Sequence, residues 1–291
     1  MDRVVVTGGA GFMGSHTADE LTRRGYDVLV FDQVESPWVR SGQDMMLGDV
    51  LDEQAVSRAI KGARYVYHFA GIADIEDSRN RPVDTTRLNV LGTSLVAEAA
   101  RQYGVERVVY ASTMYVYSPF GSFYRASKQA AETILETYQQ EHKLDYTFLR
   151  FGSLYGPRAQ DWNGLRKYVR QAVEKGKITY AGTGEERREY IHVTDAARLS
   201  VDVLDEKHRN RAITVTGSQV LTSREMMDLI FEIAGRSPEI VLTDSERKGY
   251  HYSLTPYRYT PKPALKLIPS EFVDIGQGIL ELVEELQEIR R

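Results

Sequence analysis

The sequence predicts an α/β fold with a doubly wound parallel sheet, followed by a smaller α/β domain. Up to residue 151, short apolar strand patterns alternate with amphipathic helical patterns, which is typical of parallel sheets covered by helices on both faces. A glycine-rich turn joins the first strand to the first helix. After residue 151 the pattern changes, so we divide the chain into residues 1–151 with about 190–204, and residues 152–189 with 205–291.

The first 32 residues form a strand, a glycine turn, a helix and a second strand. The turn matches the spacing Gly-x-Gly-x-x-Gly from Gly9 to Gly14, and a close variant of that spacing begins at Gly8. The early glycines let backbone N–H groups approach a pyrophosphate, and Gly14 lets the helix pack close to the strand. Asp32 ends the second strand, where a carboxylate can bond a ribose 2′-OH and would repel a 2′-phosphate. The unit therefore predicts a site for NAD rather than NADP.

Two later strands also end in residues suited to a ligand. A short strand is followed by Asp49 and Val50, and the next strand is followed by Ala70 and Gly71. Ligands of open α/β sheets lie outside the carboxyl ends of the strands. Asp49 could bond the adenine amino group, or it could simply stabilise a turn. The small Ala70-Gly71 pair would let a cofactor approach the backbone.

Residues 72–81 are expected to form a charged loop, and a long helix after them runs to about Tyr103. Asn89 lies within this helix, where asparagine lowers helix propensity, so it either bonds a neighbouring loop or is exposed. The acids of the loop are expected to be solvated, although they could supply an acid to a nearby site. They are Asp74, Glu76 and Asp77. The expected apolar stripe of the helix comprises Leu88, Leu91, Leu95 and Ala99.

The next strand and helix carry three residues that could perform proton transfer. The strand leads to Thr113, and after a short loop the helix carries Tyr124 and Lys128 on one face, because they are four residues apart. A tyrosine has an ordinary pKa near ~10, and a neighbouring ammonium stabilises its phenolate. Such a phenolate can take a proton from a substrate hydroxyl while the carbon gives a hydride to NAD. Thr113 could hold the same oxygen.

Composition excludes several classes of protein. The 291 residues include no cysteine, which excludes disulfides, thiolate metal sites and a cysteine nucleophile, and we expect no metal. The net charge of −4 gives no reason to expect binding to nucleic acid. No apolar run reaches the roughly 18 residues of a membrane span. The N-terminus has the pattern of a core strand rather than a signal peptide, so we expect a cytoplasmic protein with no membrane partner.

The motifs along residues 2–200 form a set. They are the glycine turn with Asp32, Gly48-Asp49-Val50, His68-Phe69-Ala70-Gly71, Asn89-Val-Leu-Gly-Thr, Ser112-Thr113, Tyr124-x-x-x-Lys128, Tyr155-Gly-Pro and Arg188-Glu-Tyr-Ile-His. This set resembles the extended short-chain dehydrogenases/reductases. Within them it is most similar to the NAD-dependent nucleotide-sugar epimerases and dehydratases.

The resemblance implies a Rossmann domain that binds NAD and a second domain that binds a nucleotide sugar. It implies that Thr113, Tyr124 and Lys128 are catalytic and that Asn89 supports the site. Arg188 resembles the arginine that grips the nucleotide diphosphate, and a guanidinium fork suits paired phosphate oxygens. The implied cofactor-binding residues are Gly8, Gly11, Phe12, Met13, Gly14, Asp32, Asp49, Val50, Ala70, Gly71, Asn89, Tyr124 and Lys128. The implied substrate-binding residues are Thr113, Ser153, Asn163, Arg188 and Arg258.

The chain departs from some members of that family just after the catalytic threonine. Many 4,6-dehydratases carry Asp-Glu there and a decarboxylase group carries Glu at the second place, whereas this chain has Met114 and Tyr115. Without a carboxylate, these positions offer no group to protonate a leaving hydroxyl or to take a C5 proton. The usual asparagine before Tyr-Gly-Pro is Ser153, so the sugar is not defined by the sequence.

The predicted function is therefore that of an isomerase, an NAD-dependent nucleotide-sugar 4-epimerase with a transient 4-keto intermediate. One alternative is a nucleotide-sugar dehydratase or oxidoreductase of the same family, including a decarboxylase. An alternative of another class is a catalytically silent protein that binds NAD or a nucleotide, although such a protein would not need Thr113, Tyr124 and Lys128. The resemblance also implies a homodimer, formed by helices at about 85–103 and 124–142.

Overall fold

The computed structural model describes residues 1–218 and 220–243. Its strands are β1 (Arg3–Thr7), β2 (Asp27–Asp32), β3 (Gln43–Leu47), β4 (Tyr65–His68), β5 (Arg107–Thr113), β6 (Asp145–Phe151), β7 (Ser153–Tyr155), β8 (Ile178–Ala181), β9 (Arg187–His192), β10 (Arg211–Val215), β11 (Val220–Thr222) and β12 (Ile240–Thr243). Its α-helices are α1 (Phe12–Arg23), α2 (Glu53–Ile60), α3 (Ile75–Asn80), α4 (Pro82–Thr86), α5 (Gly92–Gln102), α6 (Ser122–His142), α7 (Gly164–Lys175), α8 (Val193–Asp202) and α9 (Ser223–Ile233). Turns of 3₁₀ type cover Met114–Tyr117 and Glu206–His208, and a π-helical segment covers Arg87–Leu91.

Seven of the described strands form one sheet in the order β10-β6-β5-β4-β1-β2-β3. Every neighbouring pair in it is parallel. The strand order changes direction between β1 and β4, and such a point opens a crevice outside the carboxyl ends of the strands. The sheet is therefore the doubly wound Rossmann-like sheet that the sequence predicts, and its ligand edge is the one where β1, β2 and β5 end.

The central strands are buried on both faces, which explains their nearly continuous apolar sequences. Successive side chains point to opposite faces of the sheet. Val4 and Val6 accordingly pack with Val109 in a core covered by α1 and α8. Val5 packs with Val66 in a second core covered by α2, α5 and α6. The two cores hold the crossover helices in place, and through them the loops at the ligand edge.

Two small sheets are formed by strands that come after β6 in the chain. They have the orders β11-β9-β7 and β12-β8. Helices α7 and α9 pack with β8 around a separate apolar core that includes Ile178, Met227 and Phe231. Strand β7 begins two residues after Phe151, which pairs with Thr113 at the end of β5. The small sheets therefore start from the ligand edge of the large one.

Strand β10 corrects the predicted domain boundary. Residues 205–291 were all expected in the second domain, but Arg211–Val215 pairs in parallel with β6 at the edge of the large sheet. A five-residue apolar strand has the same local pattern in either sheet, so only its pairing partner decides the assignment. The rest of the proposed division remains a prediction.

Two local predictions in residues 72–103 also need correction. The expected charged loop contains α3, whose N-terminus is capped by Asp74, with Oδ1 accepting from the backbone N–H of Glu76 at 2.8 Å. In the following helix, Leu91 is 47% exposed rather than part of a buried stripe, while Asn89 is buried. The π-helical segment adds a residue to the turn, which rotates the faces relative to a regular α-helix. The C-terminal helix expected at about 271–289 lies outside the described residues.

Candidate active site

A deep cavity opens at the carboxyl edge of the parallel sheet. Its volume of about 1590 Å³ exceeds the roughly 300–1,000 Å³ of an ordinary ligand pocket, so it has room for more than one ligand. Both the large sheet and the small sheets contribute to its walls. Of the residues predicted to bind or react, those that line it are Gly8, Gly11, Phe12, Met13, Gly14, Asp32, Asp49, Val50, Ala70, Gly71, Thr113, Tyr124, Lys128, Ser153, Asn163 and Arg188.

One wall is made mainly of backbone. Gly8 has a φ of +69°, and a Cβ added there would lie 2.5 Å from the backbone nitrogen of Ala70. A Cβ added to Gly14 would lie 2.2 Å from the carbonyl oxygen of Gly8. Gly11 is the N-cap of α1, and no acidic residue occupies the first turn of that helix. The chain thus forms a close cradle at the positive end of a helix dipole, which suits a pyrophosphate.

Asp32 and Asp49 follow neighbouring strands at the same edge of this wall. Asp32 Oδ2 accepts a hydrogen bond from the backbone N–H of Ala10 at 3.0 Å, which orients the carboxylate beside the glycine turn. Asp49 Oδ1 accepts from the backbone N–H of Leu51 at 2.9 Å. Asp49 therefore stabilises a turn and lines the cavity at once, so both roles that the sequence left open are available to it.

Tyr124 and Lys128 lie side by side in the cavity lining, as the helical spacing predicts. The Lys128 Nζ lies 5.9 Å from the centre of the Tyr124 ring and 4.7 Å from that of Tyr110. It donates a hydrogen bond to the carbonyl oxygen of Ala111 at 2.7 Å. Burial lowers the pKa of Lys128 to about 8, and the carboxylate of Glu132 acts in the opposite sense. A buried ammonium beside a phenol is the arrangement needed to stabilise a phenolate.

Thr113 ends β5 and begins the 3₁₀ turn that leads toward α6. Its Oγ1 accepts a hydrogen bond from the backbone N–H of Tyr115 at 3.3 Å, so the hydroxyl hydrogen can be donated to an oxygen in the cavity. Met114 is fully buried. Tyr115 lines the cavity, with its ring centre 6.3 Å from that of Tyr124 and the ring planes at 70°. An aromatic ring therefore occupies the place where dehydratases were expected to carry an acid.

Asn89 needs a correction, because it does not line the cavity and is only 1% exposed. Its Oδ1 accepts from the backbone N–H of Ile72 at 2.8 Å, and its Nδ2 donates to the carbonyl oxygen of Ile72 and to Ser127 Oγ. These bonds tie the loop after β4 to the helix of Tyr124. These contacts place the Asn89 side chain behind the cavity wall rather than in its lining.

The opposite wall holds three of the residues predicted to bind substrate. Ser153 begins β7, and Arg188 lies in β9. Asn163 is the N-cap of α7, with Oδ1 accepting from the backbone N–H of Arg166 at 3.2 Å and Nδ2 donating to the carbonyl oxygen of Leu154 at 2.9 Å. Its side chain therefore holds the start of α7 against β7. Thr113 lies at the end of β5 instead, and Arg258 lies outside the described residues.

Sequence reasoning missed a group of aromatic and acidic residues that line the cavity. Glu186 is the best anchored of them, since its carboxylate accepts hydrogen bonds from Tyr180, from Thr183 and from the backbone N–H of Gly184. No spacing in the sequence joins these residues, because they come from separate elements. The group comprises Trp162, Tyr168, Tyr180, Glu186 and Tyr190. Asp74 and Glu76, which the sequence offered as possible acids, line the cavity as well, at the N-cap and in the first turn of α3.

Within residues 1–218 and 220–243, no helix combines the length and apolar character of a membrane span. In that same part of the chain, no group of three or more His, Asp or Glu side chains is arranged to hold a metal ion.

Comparison with known proteins identifies this arrangement. The model of the NAD-dependent epimerase/dehydratase family matches residues 4–216. The chain is 30% identical to the UDP-glucose 4-epimerase of Bacillus subtilis, over 80% of this chain and 82% of that protein. It is 25% identical to a UDP-N-acetyl-alpha-D-glucosaminuronate decarboxylase of Bacillus cytotoxicus, over 99% of this chain and 98% of that protein. Relatives described as dTDP-glucose 4,6-dehydratases also occur.

A solved structure gives the same result. The UDP-glucose 4-epimerase of Thermus thermophilus, in complex with NAD, superposes with a TM-score of 0.78 at 30% identity, covering 89% of this chain and 90% of that one. NAD is the cofactor of the matched family. The glycine cradle, which an added Cβ would fill, and the carboxylate of Asp32 fit such a dinucleotide.

Proposed function

The chain belongs to the NAD-dependent epimerase/dehydratase family, and we propose that it is a nucleotide-sugar 4-epimerase. The observation that carries this proposal is the composition of the catalytic end of the cavity. Thr113, Tyr124 and Lys128 line it together, while the turn after Thr113 carries Met114 and Tyr115 instead of a carboxylate. Epimerisation at C4 needs a single proton-transfer group on the sugar oxygen, whereas dehydration also needs an acid for the leaving hydroxyl.

We assign NAD to the cavity wall formed by the glycine turn at the start of α1. In this assignment the start of α1 would hold the pyrophosphate, and the carboxylate of Asp32 would accept a hydrogen bond from a ribose hydroxyl. When bound, NAD supplies a reversible hydride acceptor, so an epimerase returns it unchanged. The residues proposed to hold it are Gly8, Gly11, Phe12, Met13, Gly14, Asp32, Asp49, Val50, Ala70, Gly71, Tyr124 and Lys128.

The chain's own groups carry the proton. Tyr124, as a phenolate, takes the proton of the C4 hydroxyl as the carbon is oxidised to a 4-keto sugar. The ammonium of Lys128 stabilises that phenolate. Thr113 donates a hydrogen bond to the same sugar oxygen and keeps it within reach. After the 4-keto sugar has rotated in the cavity, C4 takes a hydride on its opposite face and Tyr124 returns the proton to the oxygen, which completes the inverted alcohol.

The substrate half assigns the nucleotide diphosphate to Arg188, with Ser153, Asn163 and Arg258 as further contacts. A guanidinium pairs with phosphate oxygens in both ground state and transition state, so its loss should weaken binding more than turnover. We expect Arg188→Met to raise the KM for the nucleotide sugar by roughly 10-fold or more and to leave kcat within about 3-fold. An unchanged KM would remove Arg188 from the binding site.

The deciding experiment is an NMR time course in D₂O. The full chain is incubated with NAD and a panel of UDP-, dTDP-, GDP- and CDP-sugars. A new C4 epimer without deuterium at the sugar carbons would support 4-epimerisation and identify the substrate. Loss of water with deuterium at C5 or C6 would contradict it and favour a dehydratase. No change in any sugar, with NAD still bound, would favour a silent binding protein.

Dehydration or decarboxylation remains the second candidate, and one observation favours it. Asp74 and Glu76 line the cavity beside α3, so acids missing after Thr113 are present on another element. Asp74 Oδ1 also caps α3, so Glu76 is the acid to replace in a test, because its replacement leaves that cap in place. If the D₂O experiment reports dehydration, Glu76→Gln should remove it and Asp77→Asn, which changes an acid outside the cavity lining, should not.

We also propose that the enzyme is a cytoplasmic homodimer. Support for the dimer comes from exposed apolar side chains on the α4–α5 segment and α6. Val83 is 70% exposed, and Leu91 and Phe123 are each 47% exposed. Sedimentation at micromolar concentration should give a dimer, and Phe123→Glu should give monomers. A wild-type monomer would refute the assembly, and recovery of the protein outside the cytoplasm would refute the location.

A further inference from the structure

A buried chain of hydrogen bonds lies directly behind Thr113 and Lys128. Ser112 Oγ donates to Glu132 Oε1 at 2.5 Å. Arg150 Nε donates to the same oxygen at 2.9 Å, and Arg150 Nη2 donates to Glu132 Oε2 at 2.6 Å. Arg150 Nη1 donates to the hydroxyl of Tyr117, whose ring also packs against the guanidinium. We call Ser112, Glu132, Arg150 and Tyr117 the Glu132 network.

Stability alone is a poor explanation for this network. The side chains of Glu132 and Arg150 are only 8% and 16% exposed. Removing both charges from water costs about as much as their attraction returns, so a buried ion pair adds little net stability. Here both carboxylate oxygens are hydrogen-bonded, which offsets the cost of burying the charge but does not by itself give the charge a function. Its position next to the proposed catalytic groups gives it a role.

The network clamps the turn that carries Thr113 from both sides. Ser112 precedes Thr113 in β5, and Tyr117 ends the 3₁₀ turn that follows it. Arg150 lies in β6 and pairs in register with Ser112. Gln129 of α6 adds a bond from Nε2 to the carbonyl oxygen of Val116 at 2.8 Å. The hydroxyl of Thr113 is thus held at a fixed place relative to β6 and α6.

The network also sets a charge next to Lys128. Glu132 follows Lys128 by four residues, so both project from one face of α6. Besides Glu132 and its partner Arg150, the ionisable groups near this ammonium in the described part of the chain include Tyr124, Tyr110 and His68. Burial raises the pKa of Tyr110 well above its usual range and lowers the pKa of His68 to about 3, so both are neutral at neutral pH. The Glu132 carboxylate is then the charge that opposes the desolvation of the ammonium.

We propose that Glu132, held by Arg150, is a positioning residue: it fixes Thr113 through Ser112 and keeps the Lys128 ammonium protonated at neutral pH. The inference rests on the catalytic roles proposed above for Thr113 and Lys128. Its charge effect, however, is a property of the folded chain and can be measured without a substrate.

The first test is an NMR titration of the lysine side-chain nitrogens in the full chain. The Lys128 signal is assigned by its loss in Lys128→Met. In Glu132→Gln we expect the pKa of Lys128 to fall by roughly half a unit or more, because the opposing charge is gone while the side-chain shape is kept. Glu136→Gln, one turn further along α6, is the matched control and should leave it unchanged. Equal pKa values in wild type and Glu132→Gln would overturn the proposal.

A second variant changes the charge in the opposite direction. Arg150→Gln removes the cation that offsets Glu132, so the pKa of Lys128 should rise. This variant also covers the case in which Glu132→Gln does not fold. Absence of a rise in folded Arg150→Gln would contradict the charge effect.

The third test uses turnover. With an active nucleotide sugar, Glu132→Gln should move the basic limb of the rate profile to lower pH and reduce kcat more than it changes KM. Ser112→Ala keeps the carboxylate but loosens the clamp, so it should reduce kcat and leave that limb in place. A merely structural network would lower activity in both variants without moving the limb. A wild type inactive on every sugar would refute the proposed function, while the NMR titration would still decide this inference.

Discussion

One wall of the cavity is formed mainly by backbone atoms and the other mainly by side chains. The wall at the start of α1 is backbone, where Gly8 and Gly14 bring chain segments to distances that no Cβ permits. The wall at β7, α7 and β9 is made of side chains such as Asn163 and Arg188, supplied by separate elements. A ligand gripped by backbone leaves a spaced glycine pattern in the sequence. A ligand gripped by side chains leaves scattered residues whose partners only the fold reveals.

The catalytic centre lies between these walls, and its loss should have the largest effect. Tyr124→Phe removes the proposed proton carrier but keeps the ring, so turnover should fall by about 10³-fold while NAD affinity stays within about 3-fold. A turnover assay measures the loss of activity, and a calorimetric titration with NAD measures the cofactor affinity. Tyr115→Phe is the matched control, since it removes a cavity phenol from the neighbouring turn. Full activity of Tyr124→Phe would contradict the proposed mechanism.

Changing the backbone wall should have the next largest effect. A Cβ at Gly14 would collide with the carbonyl oxygen of Gly8 at 2.2 Å, so Gly14→Ala must displace the turn. We expect NAD affinity to fall by roughly 100-fold or more, measured by calorimetry. Gly25→Ala is the control, because it has a φ of +85° with nothing within 4 Å and should lower only stability, by about 1 kcal/mol. Unaltered NAD binding by Gly14→Ala would show that the cradle is not the cofactor wall.

A single side chain on that same wall should matter less. Asp32→Asn keeps an acceptor for the N–H of Ala10 but removes the charge. We expect about 10-fold weaker NAD binding and a smaller preference for NAD over NADP, because the repulsion of a 2′-phosphate is lost. Asp27→Asn, at the other end of the same strand, should change neither affinity. An unchanged preference between the cofactors would place their discrimination elsewhere.

The last prediction concerns the stability of the fold rather than binding or turnover. The folded pKa of Lys128, about 8, lies below its ordinary value of 10.5, so the unfolded chain binds more protons between those pH values. Stability should therefore rise with pH across this window as the burial penalty disappears. Lys128→Met should raise the free energy of unfolding by up to about 3 kcal/mol at pH 7. The loss of the hydrogen bond to Ala111 reduces this gain. The gain should also become smaller as the pH rises toward 10. Denaturant unfolding at several pH values measures this difference, and a difference that does not shrink would contradict it.

Much of the catalytic centre could be anticipated because it depends on short-range geometry. Tyr124 and Lys128 share a face through the helical repeat, and Thr113 follows from its place at a strand end. The Glu132 network was missed because its members lie on β5, α6, β6 and a turn, with no spacing that connects them. For Asn89 the sequence left a bond to a neighbouring loop and exposure as alternatives, and only the fold shows that it bonds Ile72 in that loop and Ser127 in α6.

The sequence alone defines the central strands, the longer helices, the glycine turn and the order in which they follow one another. These features depend on backbone preferences and hydrophobic periods that act over a few residues. Tertiary structure decides that β10 joins the large sheet, that α3 replaces a loop beside the cavity, and that Glu132 meets Arg150. Each of these depends on a partner far away along the chain. A local pattern limits which partners are acceptable, but packing selects among them.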